Sequence, residues 1–390
     1  MTETQLDCVV LSGGGATGAF GSGAARAIRD FHRDIVGHER QTCYIGTSAG
    51  ALNAAVLAAF SEDGAERLRQ LWTNANAKSV VGESLGRKKD TRRIMRRLLW
   101  RAFLGKEPFY LFDTKALRQL VSEALKDVDF GSLDEAPLVL VATCFDDGRI
   151  RSFYTSSLID EVVRKDREAA DREGVRQKLS RFKRIDSKEM LIECLLASAA
   201  IPVLFPLVEI NGNWYGDGGI ANNTPVQEAA LLLRVVKECS ITHLPGDTFC
   251  IMQNPNSRSM ELEERGLKEV ALSTYELAQT LHMGPILASW HQINKSVQDY
   301  SEAVAKLEEA GHIAADGKDR LLPAPGGYVP RLSLPLYEIR PTGELGGLLD
   351  FRSADYDLEG YAAAVDALHQ ARLVEDHERE RLSPLPSSSR

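Results

Sequence analysis

Two glycine-rich corners near the start of the chain carry residue types at spacings that could do chemistry: Gly13-Gly14-Gly15-Ala16-Thr17-Gly18 and Gly46-Thr47-Ser48-Ala49-Gly50. The second is a G-x-S-x-G turn. The apolar run Thr42-Cys43-Tyr44-Ile45 feeds it, and the small-residue helix Ala49-Gly50-Ala51-Leu52-Asn53-Ala54-Ala55-Val56 follows directly. Strand, sharp turn, helix is the context in which a serine hydroxyl is held out as a nucleophile. The flanking Gly46 and Gly50 leave room for the strained turn, which larger neighbours would block. At a helix N-terminus, unpaired N–H groups and the macrodipole favour the negative charge that develops in acyl transfer. An ordinary βα turn with a chance serine gives the same local pattern.

The first corner follows the strand Cys8-Val9-Val10-Leu11 and opens into a helix expected from near Ala16 to about Ile35, a βα unit. Such a loop can cradle a dinucleotide pyrophosphate or offer its N–H groups as an oxyanion hole. The dinucleotide reading asks for an acidic residue about 20 positions on, at the end of a second strand. Asp30 and Asp34 fall instead within the helical stretch, and the next strand ends in the serine corner. The oxyanion reading is the better fit.

A serine nucleophile needs a base. Of the eight histidines (His32, His38, His243, His282, His291, His312, His369, His377), none sits in a glycine-rich loop at a strand end. One solution is the order Ser–Asp–His, with Ser48, Asp217 and His243 or His282. The other is a dyad in which Asp217 itself takes the proton. Asp217 lies in Gly216-Asp217-Gly218-Gly219, delivered by the hairpin Val208-Glu209-Ile210, the turn Asn211-Gly212 and Trp214-Tyr215. Upstream, Leu195 to Pro206 reads as a helix of small residues stopped by Pro202 and able to pack close to a neighbouring backbone.

Four separated motifs, in this order, resemble the patatin-like phospholipase family and together cover residues 8 to about 225. Gly13 to Gly18 resembles its oxyanion loop, Gly46 to Gly50 its serine elbow, Ala197-Ser198-Ala199-Ala200-Ile201-Pro202 its A-S-x-A-x-P block, and Asp217-Gly218-Gly219 its D-G-[AG] motif. Tyr337-Glu338-Ile339-Arg340-Pro341 and Leu349-Asp350-Phe351 also look like bacterial members. The resemblance implies a three-layer α/β/α fold with a mostly parallel central sheet and a Ser48–Asp217 dyad without histidine. It further implies an oxyanion hole from the N–H groups of Gly13, Gly14 and Gly15, with Gly18, Gly46, Gly50, Gly218 and Gly219 in support. The chemistry implied is serine hydrolysis of fatty-acyl esters of phospholipids, with no metal or nucleotide cofactor. A soluble carboxylesterase or thioesterase on the same dyad, and an inactive lipid-binding module, are the alternatives. Many family members carry Arg or Lys where this chain has Thr17, which removes a cation from beside the oxyanion loop.

The remaining elements frame these motifs. Helices are expected from Ala65 to about Ala77, from an Asp113 N-cap to about Leu125, over 158–189, from Pro225 to about Cys239, over 260–309 and over 354–377. Strands are expected at 137–143, 149–154, 248–252 and 334–339, and a disordered tail at the end. Residues 1–350 form the expected catalytic domain with a helical insertion at about 78–108, followed by a C-terminal helix at 351–378 and the tail 379–390. The insertion contains eight basic residues between Arg87 and Arg101 (Arg87, Lys88, Lys89, Arg92, Arg93, Arg96, Arg97, Arg101) against the single acid Asp90. Ile94, Met95, Leu98, Leu99, Ala102 and Phe103 recur at helical spacing, the pattern of a segment lying on an anionic membrane surface or of a solvated helix packed on its domain.

In 390 residues with 44% hydrophobic content there is room for a substantial core, and a net charge of −8 argues against wholesale nucleic-acid binding. The six cysteines are scattered without C-x-x-C spacing and read as reduced core thiols. Neither a signal peptide nor an apolar membrane span is legible, so the expected location is cytoplasmic, with peripheral membrane contact through Arg87–Arg101. The expected partners are an acyl-ester substrate and, because a free phospholipase would attack its own membranes, an activator protein or ligand.

Overall fold

Side chains alternate between two apolar cores along each central strand of the computed structural model, so the sheet is buried on both faces. In β1 (Thr4–Leu11), Val9 and Leu11 enter one core while Leu6, Cys8 and Val10 enter the other. In β2 (Arg40–Thr47), Tyr44 joins the first core, and Cys43 and Ile45 the second. In its longer stretches the structure describes residues 4–37, 40–60, 63–82, 112–239, 243–253, 334–343 and 353–379, with parts of 286–306. The basic segment Arg87–Arg101, most of the 78–108 insertion, most of 260–309, the boundary at 350 and the tail from Ser383 lie outside them.

The remaining strands are β3 (Leu138–Cys144), β4 (Ile150–Tyr154), β5 (Phe182–Arg184), β6 (Val208–Ile210), β7 (Asn213–Asp217), β8 (His243–Ile251) and β9 (Leu336–Ile339). The sheet order is β5-β4-β3-β2-β1-β8-β9, and β6 and β7 form a hairpin whose second strand pairs with β3. Pairing is parallel from β3 through β9 and between β4 and β5, and antiparallel where β3 meets β4 and β7. Helices α1 (Gly18–Phe31), α2 (Ala49–Ala59), α3 (Gly64–Asn74), α5 (Lys115–Ala124), α7 (Lys188–Ser198) and α10 (Ser353–Gln370) contribute to the first core. Helices α6 (Ser157–Glu173) and α9 (Val226–Glu238) contribute to the second. Three short helices are also present, α4 (Ala77–Val81), α8 (Gly219–Asn222) and α11 (Asp376–Arg379). This is the α/β/α arrangement with a mostly parallel sheet.

Some local expectations are corrected. The charged stretch 158–189 is not one helix: α6 stops at Gly174, whose φ of 65° is a left-handed C-cap, and the chain then adds edge strand β5. The N-cap of α5 is Thr114, while the Asp113 side chain accepts the Lys115 N–H at 3.0 Å. The last helix ends at Gln370, and Arg372, at φ 58°, turns the chain before α11. The Asn211-Gly212 hairpin turn is as expected, with both residues at positive φ.

At the N-terminal ends of the strands, buried Asp7 lies 3.1 Å from His32 Nε2 and 3.0 Å from Arg40 Nη1, and accepts the Asp247 N–H at 2.7 Å. Burial pushes the Asp7 carboxyl up, but His32, Arg40 and the Asp247 amide together hold it below the usual carboxylate range. A folded-state pKa below the unfolded value adds stability above the unfolded pKa, and that stability is lost as pH falls through the folded one. Asp7→Asn should therefore destabilise the protein by about 2–4 kcal/mol at pH 7. In urea unfolding the gap to wild type should close as pH falls below about 4; a gap independent of pH would show that the charge is not what matters.

Candidate active site

The site is assembled on one edge of β3. Strand β4 occupies the other edge from Val139 to Thr143. On the free edge, β2 pairs with Leu138 to Val141, placing Thr47 opposite Val141. There β7 takes over, running the other way, with Asp217 opposite Ala142. The two strands thus meet head to head, and the residues at their meeting ends are Ser48, immediately after β2, and Asp217, the last residue of β7.

Ser48 is held at φ 55° and ψ −123°, outside the regions an L-residue prefers, as the N-cap of α2. Its hydroxyl makes no capping bond. Gly46 and Gly50 permit the turn because a Cβ on Gly46 would strike the Gly50 carbonyl, and one on Gly50 the Leu11 and Ser12 carbonyls. The Ser48 N–H donates to Ser198 Oγ at 2.9 Å, and Ser198 donates its own proton to Val141 O at 2.6 Å. Ser198 thus ties the elbow to β3. The same helix end steadies the aspartate: Asp217 N–H donates to Ala200 O at 2.9 Å and Gly218 N–H to Ser198 O at 3.3 Å. Asp217 is fully buried, its Oδ1 accepts the Gly219 N–H at 2.6 Å, and Gly218 lies against Val141 O with no space for a side chain.

The glycine loop leaves β1 beside this pair, with Gly13 so close that a Cβ there would touch Ser48 Cβ at 3.0 Å. Asn223 clasps Gly13 twice, accepting the Gly13 N–H on its backbone carbonyl at 3.0 Å and donating Nδ2–H to Gly13 O at 3.2 Å. This corrects the expectation for Gly13, whose N–H is bonded to Asn223 O. Among the described residues, no acceptor takes the N–H of Gly14 or of Gly15. Gly18 opens α1 against Trp72 and Ala49.

Residues that the motifs did not single out hold this assembly from below. Thr47 Oγ1 donates to Asn222 O at 3.0 Å, and Asn222 Nδ2 donates to Glu228 Oε2 at 2.7 Å. Fully buried Glu228 also accepts from Ser152 Oγ at 3.3 Å and lies 2.8 Å from Arg181 Nη2. Burial pushes the Glu228 carboxyl above the usual range, with Arg181 and the hydrogen bonds opposing the shift. The sequence signal for these residues was Asn222-Asn223-Thr224, a polar run immediately after the aspartate turn.

For His243 the histidine alternative fails on register. Thr4 pairs with His243 at one end of β1, while Leu11 pairs with Gly46 at the other, so His243 starts about 20 Å from the Ser48 turn. His32 is at the same far end as Asp7, and His282 is outside the described residues. Asp30 and Asp34 sit at the distal end of α1 and beyond it, bonded to Arg33, and hold no strand-end position. Among the described residues, no group of His, Cys, Asp and Glu could hold a metal ion, and no helix is long and apolar enough to cross a membrane.

A family model described as Patatin-like phospholipase matches residues 9–230, more than half of the chain. No curated protein matches. Among solved structures, the chain is similar to VipD from Legionella pneumophila, at 14% identity and a TM-score of 0.37, covering 94% of this chain and 67% of that one. Replacing Ser198 with Ala leaves the Ser48 N–H and Val141 O buried and unpaired. The expected loss in urea unfolding is about 1–3 kcal/mol; wild-type stability would show that the elbow needs no such tie.

Proposed function

Because the chain belongs to the patatin-like phospholipase family, a family of lipid acyl hydrolases, we propose that it is a phospholipase A-type enzyme working through Ser48 and Asp217. The observation that carries this reading is the head-to-head arrival of β2 and β7 on β3, which brings a strained serine and a buried carboxylate to the same point. In the proposed cycle, Asp217 takes the Ser48 proton as Oγ attacks the ester carbonyl. The tetrahedral oxyanion is received by the N–H groups of Gly14 and Gly15, two donors fixed before reaction begins. Asp217 then returns the proton to the departing alcohol, and water, activated by the same carboxylate, releases the fatty acid and regenerates Ser48.

The basic segment Arg87–Arg101 is proposed as a peripheral contact with anionic lipid, supported by its excess of positive charge and the helical spacing of its apolar residues. Each basic residue near such a surface contributes about 1 kcal/mol. Changing Arg92, Arg93, Arg96 and Arg97 together to Gln should reduce cosedimentation with phosphatidylserine vesicles by at least about tenfold. Equal binding by the variant would remove the segment from the account.

The test of the activity is fatty-acid release from mixed phospholipid vesicles, with mass spectrometry of the products. Wild type should release fatty acid and a lysophospholipid, and Ser48→Ala and Asp217→Asn should each lower the rate by about 10³-fold or more. Turnover confined to monomeric short-chain esters would point to a soluble esterase on the same residues. Retention of lipid hydrolysis by either variant would refute the dyad.

A further inference from the structure

Building on the proposed hydrolytic role, we infer that Gln253, acting through Thr17, is the positioning residue that aims the oxyanion donors. A trans peptide is planar, so its C=O and N–H point in opposite directions. Whatever holds a carbonyl therefore sets where the next N–H points. Asn223 Nδ2 holds the Gly13 carbonyl, which turns the Gly14 N–H away from Asn223. Thr17 holds the Gly14 carbonyl, with Oγ1 at 2.8 Å and its backbone N at 3.3 Å, which turns the Gly15 N–H to the opposite side, away from α1.

The Thr17 hydroxyl is fixed in turn. Its single proton lies between Gly14 O and Gln253 Oε1, the latter 2.5 Å from Oγ1 in a buried contact. Gln253 cannot exchange its amide ends, because its Nε2 donates at 2.8 Å to the Ser12 carbonyl, which can only accept. Its backbone N–H bonds Ser12 Oγ at 3.2 Å, so Gln253 grips the residue before the loop as well as the one that shapes it. The side chain is buried and fills the space beside Gly14, where a Cβ would fall within the Gln253 amide. Gln253 lies two residues past the end of β8, at the carboxyl end of the parallel sheet, where site residues of such sheets gather.

The test compares kcat and KM for one ester substrate among wild type, Thr17→Val, Thr17→Ser and Gln253→Glu across pH. Loss of one oxyanion donor lowers rate by about 10²–10³-fold. Thr17→Val should thus lower kcat by about 10–100-fold with KM within about threefold of wild type, and Thr17→Ser, which keeps the hydroxyl, should restore most of that loss. Gln253→Glu loses the donor to Ser12 and places negative charge beside the forming oxyanion. Its kcat should fall as far at pH 8 and recover relative to wild type as pH drops toward about 4–5, where the introduced carboxyl is protonated and donates again. Wild-type kcat in Thr17→Val, or a Gln253→Glu defect that does not change with pH, would overturn the inference. A crystal structure of Thr17→Val decides the geometry independently: the Gly14 carbonyl should turn away from position 17, and an unmoved loop overturns the inference whether or not the wild type hydrolyses esters. A wild type that cleaves no ester in any assay is instead the failure of the proposed activity, and leaves that structure to decide the positioning role.

Discussion

Ser48 and Asp217 come together because β3 accepts two partners end to end along a single edge. Parallel β2 stops opposite Val141 and antiparallel β7 stops opposite Ala142. The junction is fastened at several points. Ser198 bonds Val141 O, Thr143 Oγ1 donates to Asp217 O at 2.9 Å, and Gly218 lies against Val141 O. A non-glycine residue at positive φ costs about 1–3 kcal/mol and persists only where its surroundings over-determine it. At Ser48 that surplus comes from the bond to Ser198, the close Gly46–Gly50 crossing and the docking of α2, buried along its length and apolar except for Asn53.

Apolar burial could not have defined this site by itself. The two cores hold the sheet and helices together, but the hydrophobic effect has no direction, whereas an oxyanion hole requires particular N–H groups to face particular ways. That direction comes from polar side chains under the loops. Asn222 and Asn223, consecutive residues after Asp217, reach the serine strand through Thr47 and the glycine loop through Gly13. Asn222 is anchored by Glu228, a carboxylate whose burial is tolerable because Arg181, Ser152 and Asn222 surround it. Through Asn222 this carboxylate supports the strand that carries Ser48.

Much of this was legible in the sequence where local chemistry decides structure. Continuous apolar runs marked β1, β2 and β3, the Asn211-Gly212 pair marked the β6–β7 turn, and the spacing of glycines marked the elbow and the loop. What was not legible depends on contacts between distant segments. Strand β5 is three residues in a charged stretch and exists only because β4 offers it an edge. His243 fitted the chain order Ser–Asp–His and is excluded by the strand register. Gly13 has the composition of an oxyanion donor, yet its N–H is taken by Asn223, more than 200 positions away in the chain. Gln253 carries no motif at all. Only its place at the exit of β8, next to Ser12, gives it a role.

The family match ends at residue 230, but the site does not. Gln253 comes from beyond it, and so does α10, which packs against α1, the helix that begins where the glycine loop ends. The two helices touch backbone to backbone: a Cβ on Gly23 would strike the Asp357 carbonyl, and one on Gly360 the Phe20 carbonyl. Around that crossing, Ser22 Oγ and Arg26 Nη2 donate to the Asp357 carboxylate at 3.1 and 2.6 Å, and the Tyr361 hydroxyl donates to Asp30 at 2.8 Å. Small residues bring the backbones close, and buried polar bonds then fix how far along each other the helices slide. Since α1 carries Gly18 at its first turn, directly after Thr17, these bonds tie α10 to the helix into which the glycine loop opens.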